Sequence, residues 1–567
     1  MNEKQPFVTS VFPKPQQIHQ WGNITSSTLA LSICDALQHT DNPIVLITNT
    51  SHECDLLMEE LNFFLPEDAP PCYHFPDWET LPYDHFSPHQ DVISERLGIL
   101  NALAKTKCFI LVISITTLIH RFPPVSFLKG FSFTLKEKDL IDTEKLKREL
   151  VHAGYTFTQQ VYEHGEFSIR GAMIDLFPMG SPQPFRIELF DDEVESIRTF
   201  HPETQRSIEK ISEIRLLPAH EFPFHKEALR AFKNRFLDTF NVNVRECPLL
   251  LDLEQGVFHA GIEYYAPLFF DQTATFFDYL PKKTLIFHQH NTQEAITHFW
   301  EEIQRQYENH RYDKTRPVLL PQQLFLAHNE CFHAMNDFGR VTLHPKPITA
   351  NATHHFNAQT EAVTFAITEE KPEQAWLKFK HWLGTTHQQK QQVLIAAESM
   401  GRRESLSDHL KTHGISHTFF DHWQAFCERP EKVGITVGTL GQPFFWKNAH
   451  IIILPESALL GRATIARRKK RTEVDHSELI VRSLTELKLG DPIIHFDHGV
   501  GRYRGLQLLK IEGKEHEFVT IEYAKQAKLY VPVSFLHLIS RYAGFDVDSA
   551  PLHQLGHDEW QKEKKKE

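Results

Sequence analysis

The chain has 567 residues, 41% of them hydrophobic and 23% charged, with a formal net charge of −13. That length exceeds what one core fills and implies roughly four domains, and the composition is that of an ordinary globular protein. The acidic balance argues against a protein whose main task is to hold duplex phosphate, which calls for a basic balance or a concentrated basic face, and it favours protein partners.

Seven cysteines, at positions 34, 54, 72, 108, 247, 331 and 427, show no C-x-x-C spacing, so reduced thiols are expected rather than a disulfide frame or a zinc ribbon. Among 36 histidines, the pairs His354-His355 and His288-x-His290 stand without an H-E-x-x-H pattern or a matched ligand triad, and no metal site is expected. No run of about eighteen apolar residues occurs, and the first twenty residues lack an apolar stretch after a basic one. A cytoplasmic protein without a membrane span is therefore the expectation.

In chain order, Leu29, Ile33, Ala36 and Leu37 suit an amphipathic helix within Trp21 to Leu37, and PIVLIT (43–48) and CFILVISI (108–115) read as buried strands. Near-continuous apolar strands alternating with helices imply a parallel sheet covered on both faces, an α/β fold. In a nucleotide hydrolase of that architecture the loop before the first helix reads G-x-x-x-x-G-K-[ST], because phosphate needs bare backbone N–H groups, a lysine and a magnesium-binding hydroxyl. Here it reads HQWGNITSSTLAL (19–31): Gly22 remains, the lysine does not, and the pattern occurs nowhere else. The module is expected to be a degenerate P-loop-type fold without nucleotide hydrolysis.

Between Phe75 and Leu97 three prolines, Pro76, Pro82 and Pro88, fix an extended, turn-rich path. Trp78, Leu81, Tyr83 and Phe86 are expected to bury, and a helix is expected from about Gln90, capped by Ser87 or Ser94, with Val92, Ile93 and Leu97 as its stripe. A smaller α+β unit follows, with a helix over Thr143 to His152 (apolar face Leu146, Leu150 and Val151) and strands at 167–169, 172–177, 185–190 and 194–199. By the period of two, Arg186, Glu188 and Phe190 share one face of PFRIELF, with Phe185, Ile187 and Leu189 on the other. The alternative is that Phe190 packs under a loop while both Arg170 and Arg186 pair with Asp191, Asp192 or Glu193.

Longer helices and the aromatic run GIEYYAPLFF (261–270) come next; its glutamate has no second carboxylate set by a motif and reads as packing. Residues 351–362 read as a polar linker. A further α/β unit then has strand 392–397, helix 399–412 and strand 449–454. In IIILPES a proline, Pro455, stands where a magnesium-binding Asp would be. The basic run ARRKKRTEVD (466–475) reads as a flexible linker. Short alternating strands from Leu487 to Tyr542, turned at Gly499, Gly501 and Gly505 and at the hairpin Ile511-Glu512-Gly513-Lys514, are expected to close as an SH3- or Tudor-like β-barrel.

Three blocks carry a resemblance. The run DWETLPYD-x-FSPH-x-D-x-IS-x-RL at Asp77 to Leu97 resembles the UvrB-like module of the bacterial transcription-repair coupling factors. EHGEFSIRGAMIDLFPMG with PFRIELFDDEVESIRTF (163–180, 184–200) resembles the UvrA-binding domain that they share with UvrB. HFDHGVGRYRGL with KLYVPV (495–506, 528–533) is similar to the RNA-polymerase-interacting domain of the same factors and of CarD-type regulators.

The resemblance implies a UvrB-like α/β domain at 1–130 and 216–350, an inserted UvrA-binding domain at 131–215, an α/β domain of unknown role at 360–458, a basic linker at 459–480, a CarD-like barrel at 481–546 and the start of a linker helix at 547–567. It implies UvrA contacts at Arg170, Arg186 and Phe190. For the RNA polymerase β subunit it implies contacts at Leu506, Leu508, Leu509 and Lys510, with Leu509 as apolar anchor and strand addition as the mode. Full-length members continue into a two-lobed DNA translocase, so ATP, magnesium and most DNA contact are expected in that half. This chain reads as a fragment without cofactor, metal or catalytic residue, a scaffold joining stalled polymerase to UvrA. The alternatives are an active UvrB-like helicase subunit and a stand-alone CarD-type activator.

Overall fold

The computed structural model describes residues 11–130, 133–240, 242, 244, 247–254, 257–349, 354–363, 372–429, 431–460, 490, 492–495, 499–511, 514–524, 527–532 and 539–541. Two compact units divide the chain, 1–463 and 464–567.

The first unit opens with β1 (Ile18–Gly22), α1 (Ser26–Ala36), β2 (Ile44–Thr48), α2 (Ser51–Phe64), β3 (Cys72–Phe75), α3 (Gln90–Leu103) and β4 (Ile110–Ser114). The insertion contributes β5 (Phe133–Lys136), a helix (Thr143–His152), β6 (Thr156–Phe157), β7 (Glu166–Arg170), β8 (Met173–Leu176), β9 (Phe185–Phe190), β10 (Glu193–Phe200), β11 (Ser207–Ile211) and β12 (Glu213–Leu216). After a helix at Lys226–Phe240 and a 3-10 helix at Ile262–Phe269, the chain returns through β13 (Leu285–Gln289), a helix at Thr292–His310, β14 (Gly339–Leu343) and β15 (His355–Asn357).

The base is a seven-stranded sheet in the order β15-β1-β14-β13-β2-β4-β3, and every ladder in it is parallel. All five residues of β2 and of β4 are buried, as strands covered on both faces must be. Between the halves of this sheet the chain leaves by β5 and returns by β12, which pair antiparallel as a neck. The inserted domain beyond it is a six-stranded sheet, β11-β10-β9-β8-β7-β6, and its Leu146, Phe167, Ile174 and Ile187 join the same hydrophobic core as base residues Val45, Phe75 and Leu111.

Several local expectations are corrected. Helix α1 is not amphipathic: nine of its eleven residues are buried, because it lies beneath both the base sheet and the third domain. Helix α3 does begin at Gln90, but His89 caps it, its Nδ1 accepting from Asp91 N, while Ser87 and Ser94 serve distant partners. Trp78 and Tyr83 are buried, whereas Leu81 and Phe86 are exposed; the prolines hold a path that turns those two side chains outward. Val151 is likewise exposed, since one turn of helix Thr143–His152 carries only Leu146 and Leu150 inward.

The third domain contains β16 (Thr360–Ala362), β17 (Gln392–Ala397), β18 (Thr418–Phe419), β19 (Val433–Val437), β20 (Phe444–Trp446) and β21 (Ile451–Pro455), ordered β16-β20-β21-β17-β19-β18. Its helices include Met400–Thr412 and Trp423–Glu428. The described part of the expected linker, 354–362, is not a free tether. His355–Asn357 pairs parallel with β1 in the base sheet and Thr360–Ala362 pairs antiparallel with β20 in the third domain, because the backbone there finds ladder partners on both sides.

The second unit is a five-stranded antiparallel sheet, β25-β24-β23-β22-β26, made of β22 (Pro492–His495), β23 (Gly499–Ile511), β24 (Lys514–Glu522), β25 (Lys528–Pro532) and β26 (Ile539–Arg541). Ile511 opposes Lys514, so the expected hairpin is present. The expected barrel closure is not: among the described residues β25 and β26 are the two edges and no ladder joins them. The basic run 466–475 and the terminal segment 547–567 lie outside the described residues.

Candidate functional site

The inserted sheet brings Arg170 and Arg186 together around a residue the sequence reading missed. Asp175 sits on β8 opposite Arg186 on β9, and Arg170 ends β7, so all three project from one face. Asp175 is fully buried and accepts from Arg186 Nε at 2.7 Å and Nη2 at 2.9 Å, and from Arg170 Nη2. A buried carboxylate held by two guanidinium groups has its charge compensated and most of its lone pairs satisfied.

The two arginines differ in what they leave available. Arg186 is only 13% exposed, donates also to the Gln205 carbonyl at 3.0 Å, and lies 4.7 Å from the Phe200 ring centre. Its charge is kept on, the Asp175 hydrogen bonds holding its pKa above the usual guanidinium range. Arg170 is 46% exposed and presents its outer donors to solvent. Phe190, at the hairpin end of the same β9 face, is 72% exposed. Its strand neighbours Ile187 and Leu189 face the core, as the alternation requires. The alternative pairing with Asp191, Asp192 or Glu193 is not the one formed, and Phe190 is not covered by a loop.

Register also places Arg198 of β10 directly opposite Arg186, half-exposed, with Nη2 3.9 Å from Glu188. The face is therefore Arg170, Arg186, Arg198, Glu188 and Phe190: cationic, with one bare aromatic. Arg198 was not findable from the turn alone: a tight turn at Asp191-Asp192 would set Ile197 opposite Arg186, and it is the register shift between Val194 and Ser196 that brings Arg198 there. Nor was Asp175, because a buried acid in MIDL looks like a strand residue facing solvent.

In the second unit, β22 covers only Gly499 to Arg502 of β23, whereas β24 pairs with β23 as far as Ile511. Among the described residues, Leu506, Leu508, Leu509 and Lys510 thus have a strand on one side of their backbone and none on the other. The register shifts between Tyr503 and Leu506, where Gly505 adopts φ +96°, a conformation that suits a residue lacking Cβ. Such a half-paired strand is a template for an added strand.

At the α1 end of β1 the loop is filled by the protein itself. A Cβ on Gly22 would meet Asn357 Oδ1 at 2.1 Å and Lys346 O at 3.0 Å. The first turn of α1 receives a carboxylate from α2: Glu60, fully buried, accepts from Ser26 Oγ, from Ser27 Oγ and from the third domain's Gly441 N at 2.8 Å. Gln442 N donates in turn to Ser27 Oγ at 3.1 Å. Burial raises the pKa of Glu60 against these hydrogen bonds.

Glu263, the acid in GIEYY, is a packing residue: it is buried, Ser87 Oγ donates to it at 2.7 Å, and desolvation pushes its pKa up to about 7. Ser87 also accepts from Gly261 N.

Comparison with known proteins agrees with these modules. The chain matches the UvrB interaction domain over residues 133–222, the MFD D3 domain over 386–459 and the CarD-like/TRCF RID domain over 487–543. It is 37% identical over 552 residues to the transcription-repair-coupling factor of Haemophilus influenzae and 36% identical over 549 residues to that of Escherichia coli, in each case across 96% of this chain and 47% of the relative. The factor of Rickettsia bellii is 27% identical over 538 residues, across 94% of this chain and 46% of the relative. The fold and these matches thus define a multidomain α/β chain that contains a UvrB interaction domain and a CarD-like domain. More particularly, the chain corresponds to the N-terminal half of the transcription-repair coupling factors, spanning about half the length of the curated relatives it matches. Among the described residues no helix is long and apolar enough to cross a membrane.

Proposed function

We propose that this chain is the adaptor part of a transcription-repair coupling factor. One face docks UvrA, and the second unit grips the β subunit of a stalled RNA polymerase, so that lesions in transcribed strands reach excision repair. The observation that carries the reading is the pairing, in one chain, of a UvrB interaction domain with a bare Arg–Phe face and a CarD-like domain with a half-paired strand.

Arg170, Arg186 and Phe190 are the UvrA contacts in this reading: arginine and aromatic side chains dominate the energetics of interfaces of this kind. Leu506, Leu508, Leu509 and Lys510 are the polymerase contacts, through backbone hydrogen bonds to an added strand, with Leu509 as anchor, and the unit is read as SH3- or Tudor-like, its sheet open between the β25 and β26 edges. The α1 loop is a degenerate P-loop: Glu60 occupies the first turn of the helix where a phosphate would otherwise sit. In this reading the chain turns over no ATP, and ATP, magnesium and most DNA contact belong to the translocase half of the relatives. The working compartment is the cytoplasm.

Capture of UvrA and of the polymerase β subunit on the immobilised chain tests the proposal. Both should be retained, UvrA should be lost with Arg170→Ala or Phe190→Ala, and polymerase with Leu509→Arg. ATP turnover by the purified chain would instead establish the rival, an active UvrB-like helicase subunit.

A further inference from the structure

Where the inserted domain meets the base, three potential metal ligands converge from two separate elements. His152 is the last residue of helix Thr143–His152 in the insertion, while His225 and Glu227 stand at the start of helix Lys226–Phe240 in the base. One ligand atom from each lies within 4.8 Å of the other two, the one such group among the described residues. We propose that His152, His225 and Glu227 bind a divalent transition ion of the zinc class, and that the ion ties the inserted domain to the base.

Two imidazoles and a carboxylate form a borderline-soft nitrogen and oxygen set, suited to zinc, cobalt, nickel or copper rather than to magnesium or calcium, which take oxygen ligands. Three protein ligands leave one position of a tetrahedron for water. Glu227 is 86% exposed, so that position opens to solvent and the ion has an entry path.

The donors are near their bound arrangement without occupying it. His225 Nδ1 and Glu227 Oε2 are already 3.0 Å apart, close to the roughly 3.3 Å that two ligands span around an ion with bonds of about 2.0 to 2.1 Å. The His152 and His225 rings stack at 3.9 Å between centroids and 19° between planes. Their lone pairs therefore lie in nearly parallel planes, and the rings must turn about their Cβ–Cγ bonds to aim at a common point. That torsion is broad and soft for histidine.

Both backbones are fixed. Helix Thr143–His152 is terminated by Gly154 at φ +91°, and the following Tyr155 donates from its hydroxyl to Leu217 O at 2.8 Å, just past the strand that leads back to the base. His225 Nδ1 accepts a long hydrogen bond from Ala228 N at 3.4 Å, which the ion would replace when the ring turns. His152 lies 73 residues before His225, with Glu227 two residues beyond that, which is why neighbour spacing in the sequence did not suggest the group.

The test uses the untagged 567-residue chain, stripped with chelator and titrated with zinc by calorimetry and with cobalt by visible absorption, beside His152→Ala and Glu227→Gln. The expected result is one equivalent bound by the parent, a four-coordinate cobalt band, and affinity at least about tenfold weaker in each variant. Zinc should also raise the unfolding midpoint of the parent and not of Glu227→Gln, whose exposed side chain makes it the variant that keeps its fold. Absence of stoichiometric binding in the parent would overturn the proposal, as would binding that Glu227→Gln retains undiminished, since the ion would then sit on other histidines.

Discussion

Arg96 and Glu221, 125 residues apart in the chain, meet in the interior with Nε 2.7 Å from Oε1, and both side chains are almost wholly removed from water. Around them Arg96 donates to Pro76 O and lies over the Phe75 ring, while Trp78 Nε1 donates to the second Glu221 oxygen at 3.1 Å. This pair fastens the Phe75 to Leu97 run to the point where the chain re-enters the base from the insertion. Removing one partner leaves a buried charge without compensation. Glu221→Ala and Arg96→Ala are each expected to cost about 3 to 5 kcal/mol, read from urea unfolding, and the Arg96→Met, Glu221→Leu double variant should cost clearly less than the sum.

The face of Arg170, Arg186 and Phe190 allows the proposed binding to be tested apart from folding. Phe190→Ala should leave the unfolding midpoint unchanged, because the ring is mostly in water, and should weaken UvrA capture by about 2 kcal/mol or more if it is an anchor. Asp175→Ala should do both, since Arg186 loses the acid that positions it in a half-dry site. Equal UvrA capture by the parent and Phe190→Ala would remove that residue from the interface.

Glu263 gives stability a pH dependence of known sign. Its carboxyl is raised from 4.5 to about 7 by burial, so between those values the folded protein holds a proton that the unfolded chain has released, and stability falls as pH rises through the window. Glu263→Gln keeps the hydrogen-bonding shape without the charge. The variant's advantage over the parent should grow by about 3 kcal/mol between pH 4.5 and pH 8, measured by denaturant unfolding at each pH; a flat difference would show that folding does not change the protonation of Glu263.

Glu60 joins α1, α2 and the third domain by accepting from three groups, Ser26 Oγ, Ser27 Oγ and Gly441 N, and Ser27 Oγ accepts in turn from Gln442 N. Glu60→Ala leaves Ser26, Ser27 and the Gly441 N–H without that acceptor, at an expected cost of about 1 to 3 kcal/mol for each buried group left unsatisfied. Hydrogen exchange at Gly441 and Gln442 should accelerate before any global loss of protection. Unchanged exchange there would mean that the third domain is held by its apolar contacts alone, such as Trp423 against Phe64.

In the second unit Leu509→Arg should abolish polymerase capture while the sheet's far-ultraviolet circular dichroism is kept, because the substitution falls on the stretch of β23 that β22 does not cover. Retained capture would move the contact to another edge.

Period and proline were enough to read much of the fold. The buried strands, the start of α3 at Gln90 and the helix Thr143–His152 follow from residue spacing, as does the face shared by Arg186 and Phe190. What escaped depends on distant partners. Asp175 is an acid made tolerable inside only by two arginines on neighbouring strands. Glu60 reads as one of several helix-surface acids until the third domain covers it. The strands at 355–357 and 360–362 are too short and polar to announce themselves and exist because edges on both sides were waiting for a backbone. The expected closure is not formed among the described residues: alternation indicates strands, but closure needs a ladder between the two edges, β25 and β26.

Those two short strands set how load passes through the first unit. A pull on the third domain reaches the base through backbone ladders, His355–Asn357 on β1 and Thr360–Ala362 on β20, rather than through a slack tether. The domain whose role was least legible is thereby riveted to the sheet that carries the UvrB interaction domain, and it travels with that sheet instead of trailing behind on a leash.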